Sequence, residues 1–309
     1  SADGIHWQGD NQRCIIPNGQ GENFPREPVS GVGDTTHFRW DTKLKRYVAD
    51  LKILFRKPTL RTSGTSESED LIHWTRTRMV FHRDSLDESD SQMYEHTTFE
   101  YESMWIGVLR VMHTERTGRI QVDGELTCSR DGRHWTRVAR GDRLLPLGPE
   151  ASWDADYLIS GRPGAPMLID GKLRFYYWGT RRTDKRDGQE DIRWLMHIGI
   201  ASLRRDGFIS LNAGDKTGTV TTRPLTFTGD RLFVNAEIAD GGSIRAAVLS
   251  SEGQPLPDYL LDDAMTIRNG AESIPVSWKQ QVSIHRPANQ HVRLQFQLRN
   301  AKLYSFWID

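Results

Sequence analysis

The feature that most constrains this chain is a seven-residue turn written three times. It appears as Ser1-Ala2-Asp3-Gly4-Ile5-His6-Trp7, Ser68-Glu69-Asp70-Leu71-Ile72-His73-Trp74 and Ser129-Arg130-Asp131-Gly132-Arg133-His134-Trp135. Its starts are separated by 67 and then 61 residues. Ser and Asp side chains accept hydrogen bonds from nearby backbone N–H groups and close a tight turn, and Gly permits a positive φ there. The Trp that follows opens the next strand with a large apolar plate. One copy would be an ordinary turn. Three copies at a near-constant spacing mark a repeat architecture, which has to be recognised before any single residue is given a role.

The segments between the turns read as strands. Asp34 to Trp40 and Arg46 to Phe55 alternate in character around the polar stretch Asp41 to Lys45. Met93 to Phe99, Met104 to His113 and Ile120 to Cys128 repeat the pattern. Ser160 to Leu168, Leu173 to Trp178 and Met196 to Ala201 repeat it again, ending in Leu203-Arg204-Arg205-Asp206-Gly207-Phe208, a degenerate fourth turn. No segment holds a helical period over three turns. Units of four short antiparallel strands predict an all-β fold, a β-propeller of the five-bladed type. About three units and the tail of another are present, and the first turn stands at Ser1, so the propeller is expected to be incomplete at its N-terminus. After Gly214 the texture changes to alternating runs with turns at Asp240-Gly241-Gly242 and Glu252-Gly253. The expected domains are therefore propeller blades over 1–214 and a β-sandwich over 215–309.

Composition narrows the partners. The formal net charge is +0, from 41 basic and 41 acidic residues, which gives no reason to expect nucleic acid or an anionic membrane as partner. No apolar run is long enough to span a bilayer. Cys14 and Cys128 make no disulfide framework and lack metal-site spacing, so no metal and no cofactor is expected. There is no phosphate-binding loop, dinucleotide fingerprint or nucleophile elbow. Neither the compartment nor the oligomeric state is fixed by these features.

In a propeller the first strand of each blade lines the central funnel, and acidic residues at its entrance converge. Asp34 opens the first such strand. Tyr94-Glu95-His96 opens the next, with Glu102 at its hairpin, and Trp153-Asp154-Ala155-Asp156-Tyr157 opens the third. Two carboxyl groups on either side of a glycosidic bond, one protonated and one ionised, are what glycoside cleavage needs. The candidate catalytic residues are thus Asp34, Glu95, Glu102, Asp154 and Asp156. Tyr94, His96 and Trp153 are the candidate sugar contacts, an aromatic ring suiting the C–H face of a sugar. The repeated Asp3, Asp70 and Asp131 and the repeated His6, His73 and His134 are read as scaffold.

With those residues in view, the chain resembles the five-bladed β-propeller glycosidases: the invertase and fructanase, arabinanase and xylosidase, and mannoside phosphorylase families. Ser68 to Trp74 matches their blade-closing turn. A closer likeness is to invertase-like bacterial proteins of the same superfamily. It rests on Tyr101 to Gly107, Leu145 to Glu150, Ser152 to Asp156, Leu203 to Phe208 and Leu298 to Phe306. The invertase nucleophile motif and its Arg-Asp-Pro and Glu-Cys motifs are not matched literally; Asp34 and Glu95 or Glu102 are positional counterparts. The resemblance implies a secreted or periplasmic glycoside hydrolase acting on an oligo- or polysaccharide. Asp34 would orient substrate or stabilise developing positive charge. Glu102 or Glu95 would be the general acid, and Asp156 or Asp154 would bind sugar or serve as base. The alternatives are a glycoside phosphorylase, with Arg or His facing the acid, and a carbohydrate-binding propeller without catalysis.

Overall fold

The structure, a computed structural model, describes residues 3–6, 16, 21–22, 32–56, 59–114, 120–160, 166–181, 196–285 and 290–309. Every element among them is a strand, and the described residues contain no helix. The chain divides into two compact units. One comprises Ser1–Met167 and Arg174–Ala201, the other Leu168–Leu173 and Ser202–Asp309.

The first unit is built from meanders. β1 (Gly21–Glu22), β2 (Val32–Asp41), β3 (Arg46–Arg56), β4 (Thr59–Ser68) and β5 (Thr77–Phe81) form a sheet in the order β1-β5-β4-β3-β2. Its hairpin at residues 41–45 is closed by Asp41, whose Oδ1 accepts the backbone N–H groups of Lys43 and Leu44 at 3.0 and 2.9 Å. β6 (Ser91–Tyr101), β7 (Met104–His113), β8 (Gln121–Ser129) and β9 (Thr136–Arg137) repeat the meander. A third set follows, β10 (Tyr157–Ser160), β11 (Met167–Ile169), β12 (Lys172–Thr180) and β13 (Met196–Arg204), of which Leu168–Leu173 and the residues from Ser202 onward fall in the second unit. β10 is joined to β8 by one parallel pair, Tyr157 with Val122.

Strands β6 to β8 are buried along nearly their whole length, as a sheet covered on both faces must be. On one face Met93, Leu109 and Val111 pack with Phe81 of β5. On the other, Met112 and Val122 pack with Tyr157 of β10. Arg133 adds a forked ion pair across the repeats, its Nε and Nη2 donating to the two oxygens of Glu67 at 2.8 and 2.5 Å. Thr42 and Lys43 of one hairpin reach Glu100 and the Ser103 carbonyl beside the next, at 2.9 and 2.7 Å.

The repeated turns are the joints of these meanders. In the second copy Asp70 Oδ1 accepts the N–H groups of Ile72 and His73 at 2.8 and 2.7 Å. Its Oδ2 meets His73 Nδ1 at 2.6 Å, and Ser68 Oγ accepts the Leu71 N–H at 2.9 Å. The third copy repeats every one of these bonds around Asp131 and Ser129, and Asp3 holds His6 in the same way. In the second and third copies the Trp ring closes the knot by donating to the carbonyl three residues back, Leu71 or Gly132. Trp74 then packs on the Ala49, Leu51, Ile53 and Phe55 cluster, and Trp135 on that of Phe81 and Met93.

In the second unit β14 (Leu211–Ala213), β15 (Gly218–Thr221), β16 (Leu232–Ser250), β17 (Ala271–Pro275) and β18 (Val292–Ile308) form one antiparallel sheet. Inward residues of the long pair β16 and β18, among them Val234, Ile244, Val248, Leu294 and Phe296, meet Tyr259, Ala264, Trp278 and Ile284 from the intervening segments. Trp278 buries its ring there because its Nε1 can donate to the Ala246 carbonyl at 2.9 Å.

The fourth turn position carries φ near +70° in all three described copies: +72° at Gly4, +65° at Leu71 and +71° at Gly132. Only at Gly132 would a Cβ also collide, with Asp41 Oδ2 at 2.5 Å and Trp105 Nε1 at 3.3 Å. Gly132→Ala is therefore expected to lower unfolding free energy by about 2 kcal/mol or more, the left-handed backbone alone accounting for roughly 1–2 kcal/mol. Urea unfolding of the variant beside Gly4→Ala, where nothing lies within 4 Å of the added carbon, checks this; equal midpoints would contradict it.

Candidate functional site

Two strand openings depart from regular pairing where the sequence places its candidate acids. Between β2 and β3 the register passes from Val32 opposite Ile53 to Thr36 opposite Leu51, so β2 carries two extra residues in the stretch that includes Asp34. Between β6 and β7 it passes from Met93 opposite Val111 to Glu95 opposite Arg110, leaving Tyr94 as the extra residue. Bulges of this kind re-aim side chains at strand ends.

Glu95 is the centre of what they assemble. One carboxylate oxygen meets His37 Nε2 from β2, and the other pairs with the Arg110 guanidinium from β7. Both ion-pair partners are interior: Glu95 is 3% exposed and Arg110 1%. Arg110 also donates to the Leu158 carbonyl of β10 at 3.4 Å, so one charge cluster touches the first strand of each meander. Tyr94 is ringed by cations, with Lys52 Nζ 4.4 Å from its centroid, Arg110 at 5.4 Å and Arg61 at 5.8 Å. Its edge meets Tyr157 at 5.8 Å between centroids. Arg61 in turn is fixed by Gln92 Oε1 at 2.8 Å.

Beside this cluster Asp50 is wholly buried, and burial pushes its carboxyl above the usual range against the opposing pull of Arg39 and the Thr98 hydrogen bond. Asp156 is buried at the entry to β10, where its carbonyl accepts from Val122 at 2.9 Å and its N–H donates to Thr180 at 3.3 Å. The structure thus brings Tyr94, Glu95 and the Asp156–Leu158 stretch together. Asp34 lies on the β2 bulge; its side chain is outside the described residues.

The remaining candidates fall elsewhere. Glu102 occupies the exposed hairpin between β6 and β7 with φ +50°. Seven residues of strand, about 23 Å, separate it from Glu95. Asp154 accepts from Ser152 Oγ at 2.6 Å and from Tyr177 Oη at 2.8 Å. Burial, then that bond, pushes the Tyr177 phenol up to about 12. Trp153 stacks on Tyr177 with centroids 5.5 Å apart and keeps 36% of its surface exposed, a separate aromatic patch with His197 at its edge. His96 points into the core. Its Nε2 meets Thr127 Oγ1 at 2.8 Å, and Phe81 and Trp135 pack edge-on against its ring.

His37, Arg110, Lys52 and Arg61 were not singled out from the sequence. A signal for Arg110 was present: a single cation inside Met104-Trp105-Ile106-Gly107-Val108-Leu109-Arg110-Val111-Met112 requires a buried anion as partner. Which anion it would be depends on the pairing of β6 with β7, and that depends on the bulge.

The placement of His96 has a pH signature. Burial, reinforced by the charges of Arg39 and His37, lowers its pKa to about 3, against roughly 6.5 in an unfolded chain. Between those values the unfolded state holds the proton and the folded state does not, so stability falls as pH falls. From about pH 6.5 downward the loss attributable to this ring is about 1.4 kcal/mol per pH unit. Chemical unfolding at pH 7.5 and 5.0 of the native protein and of His96→Gln should show the steeper acid loss in the native chain; parallel losses would contradict it.

No protein-family model matches the chain, and no curated protein sequence matches it. Among solved structures it is similar to an N-acetylgalactosamine deacetylase from F. plautii, with 17% identity and a TM-score of 0.45 over 59% of this chain and 54% of that one. It is similar also to the β-1,2-mannobiose phosphorylase from Listeria innocua, with 16% identity and a TM-score of 0.44 over 68% of this chain and 49% of that one. A third is the endo-arabinase from Bacteroides thetaiotaomicron, with 13% identity and a TM-score of 0.37 over 82% and 95%. The chain spans about half the length of the first two.

Proposed function

We propose that this chain is a glycoside-cleaving enzyme of all-β architecture, its meanders being propeller blades and residues 215–309 a sandwich, with its chemistry at the openings of β2, β6 and β10. The observation that carries the reading is Glu95, set between His37 and Arg110 where a bulge turns the start of β6. The Arg110 guanidinium, positive at any ordinary pH, favours the ionised carboxylate. Glu95 is therefore assigned the anionic role, stabilising the positive charge that develops on the sugar, rather than the role of proton donor. The donor is drawn from Asp34 and Asp156, which open the neighbouring strands. Tyr94 offers its ring to the sugar. Glu102 and Asp154 are left out of the reaction, the first by its distance along β6 and the second by its bonds to Ser152 and Tyr177.

Phosphorolysis is the second reading, and one feature favours it over simple hydrolysis. Lys52, Arg61 and Arg110 surround Tyr94, a concentration of positive charge suited to an inorganic phosphate entering beside the acid. Transfer to phosphate and transfer to water differ in their acceptor, so the two readings separate in one assay.

The native chain and Glu95→Gln, Asp34→Asn and Asp156→Asn are to be assayed on a panel of oligosaccharides with and without phosphate. Cleavage by the native protein should drop about 10²-fold or more in Glu95→Gln and in at least one Asp variant, folding being verified by circular dichroism. Cleavage that appears only with phosphate selects the second reading. Full activity in all three variants, or glycan binding without turnover by the native chain, would contradict the assignment.

A further inference from the structure

β6 is entered through the acidic loop Asp84-Ser85-Leu86-Asp87-Glu88-Ser89-Asp90, and its first residue, Ser91, lies opposite His113 at the end of β7. Two of the loop carboxylates are engaged by arginines: Asp84 by Arg140 and Asp87 by Arg137, both at 2.6 Å. The other two, Glu88 and Asp90, lie toward Nδ1 of His113, at 3.3 and 3.7 Å. The three donor atoms lie within 4.8 Å of one another, and this is the group of that kind among the described residues.

The second observation is the state of the imidazole itself. His113 is 2% exposed, so both of its ring nitrogens need partners inside the protein. Its contacts are long. Nδ1 is 3.4 Å from Ser91 Oγ, and Nε2 is 3.5 Å from Arg143 and 3.8 Å from Asp123. A well-made hydrogen bond of this type spans roughly 2.7–3.2 Å. Separations of 3.3 and 3.7 Å between Nδ1 and the two carboxylates are instead close to those between donor atoms sharing one cation. With metal–ligand bonds of about 2.1 Å such atoms stand about 3.0–3.5 Å apart.

We propose that Glu88, Asp90 and His113 form a binding site for a divalent cation of the zinc and manganese class. One imidazole nitrogen with two carboxylates is a mixed nitrogen–oxygen set. Calcium and magnesium favour oxygen alone. Behind the ring, Nε2 faces Arg143 Nη2 at 3.5 Å and the Asp123 carboxylate at 3.8 Å, and Asp123 is itself paired with Arg143. A cation here would tie the loop before β6 to the end of β7, five residues ahead of Glu95. It is a structural clamp on the strand that carries the proposed chemistry, and it stands whether or not that chemistry is glycoside cleavage.

The test is calorimetric titration of the full chain, stripped with chelator, by ZnCl₂, MnCl₂ and CaCl₂ in separate runs. The native protein should show one saturable site for zinc or manganese that raises its thermal midpoint, and affinity should fall about tenfold or more in Glu88→Gln and in His113→Asn. Should His113→Asn not fold, Glu88→Gln decides, since that side chain is half exposed. The turn pairs Asp70–His73 and Asp131–His134 are the obvious competing surface sites; binding undiminished in Glu88→Gln would assign the metal to them and overturn the proposal. No saturable zinc or manganese binding, or calcium bound tenfold tighter than both, would overturn it equally.

Discussion

A guanidinium and a carboxylate buried together must be paired, because either one left alone in the interior costs several kcal/mol. In this protein that requirement falls on Arg110 and Glu95, and it organises the strands around them. Glu95 meets His37 on β2, Arg110 meets the Leu158 carbonyl of β10, and the pair itself joins β6 to β7. Moving β6 by one residue against β7 would turn Glu95 away from Arg110. The bulge at Tyr94 is what permits the pairing: in a strand that alternated regularly through Tyr94, Met93 and Glu95 would share a face, and Glu95 would fall opposite Leu109 of the apolar cluster instead of Arg110.

The repeated turns do complementary work at the other ends of the strands. A Ser and an Asp satisfy the backbone donors of each turn, a His accepts no role beyond its bond to that Asp, and the Trp carries the joint into the core. The turns hold the meanders in shape, and the strand openings are left to differ. This division explains how a chain can repeat its scaffold residues while Glu95 and Asp156, on different meanders, stand among unlike neighbours. It also frees the loop before β6 to gather Glu88 and Asp90 beside His113.

Much of this was legible in the sequence. The strand content, the turns and the structural reading of their Asp and His residues follow from local chemistry and spacing. Less was legible where the outcome depends on pairing across strands. His96 and Glu95 are neighbours in sequence, yet one enters the core between Phe81 and Trp135 and the other meets His37 and Arg110. The alternation of a strand decides which does which, and a bulge resets that alternation without a clear mark in the sequence. Glu102 stood as the alternative to Glu95 for the general acid because both lie on one hairpin, but the strand carries Glu102 to its exposed far end. His37, Lys52 and Arg61 join the cluster from another sheet, a relation that no local pattern contains.

The account rests on Glu95 serving both as the buried partner of Arg110 and as an acting carboxylate, and a double-mutant cycle separates the two duties. Unfolding free energy and glycan turnover are to be measured for Arg110→Met, Glu95→Gln and the two together. The account predicts that Arg110→Met alone is destabilised by about 3–5 kcal/mol, that adding Glu95→Gln restores a large part of that loss, and that the double variant still fails to turn over glycan. A double variant that regains turnover, or two substitutions whose effects on stability simply add, would contradict it.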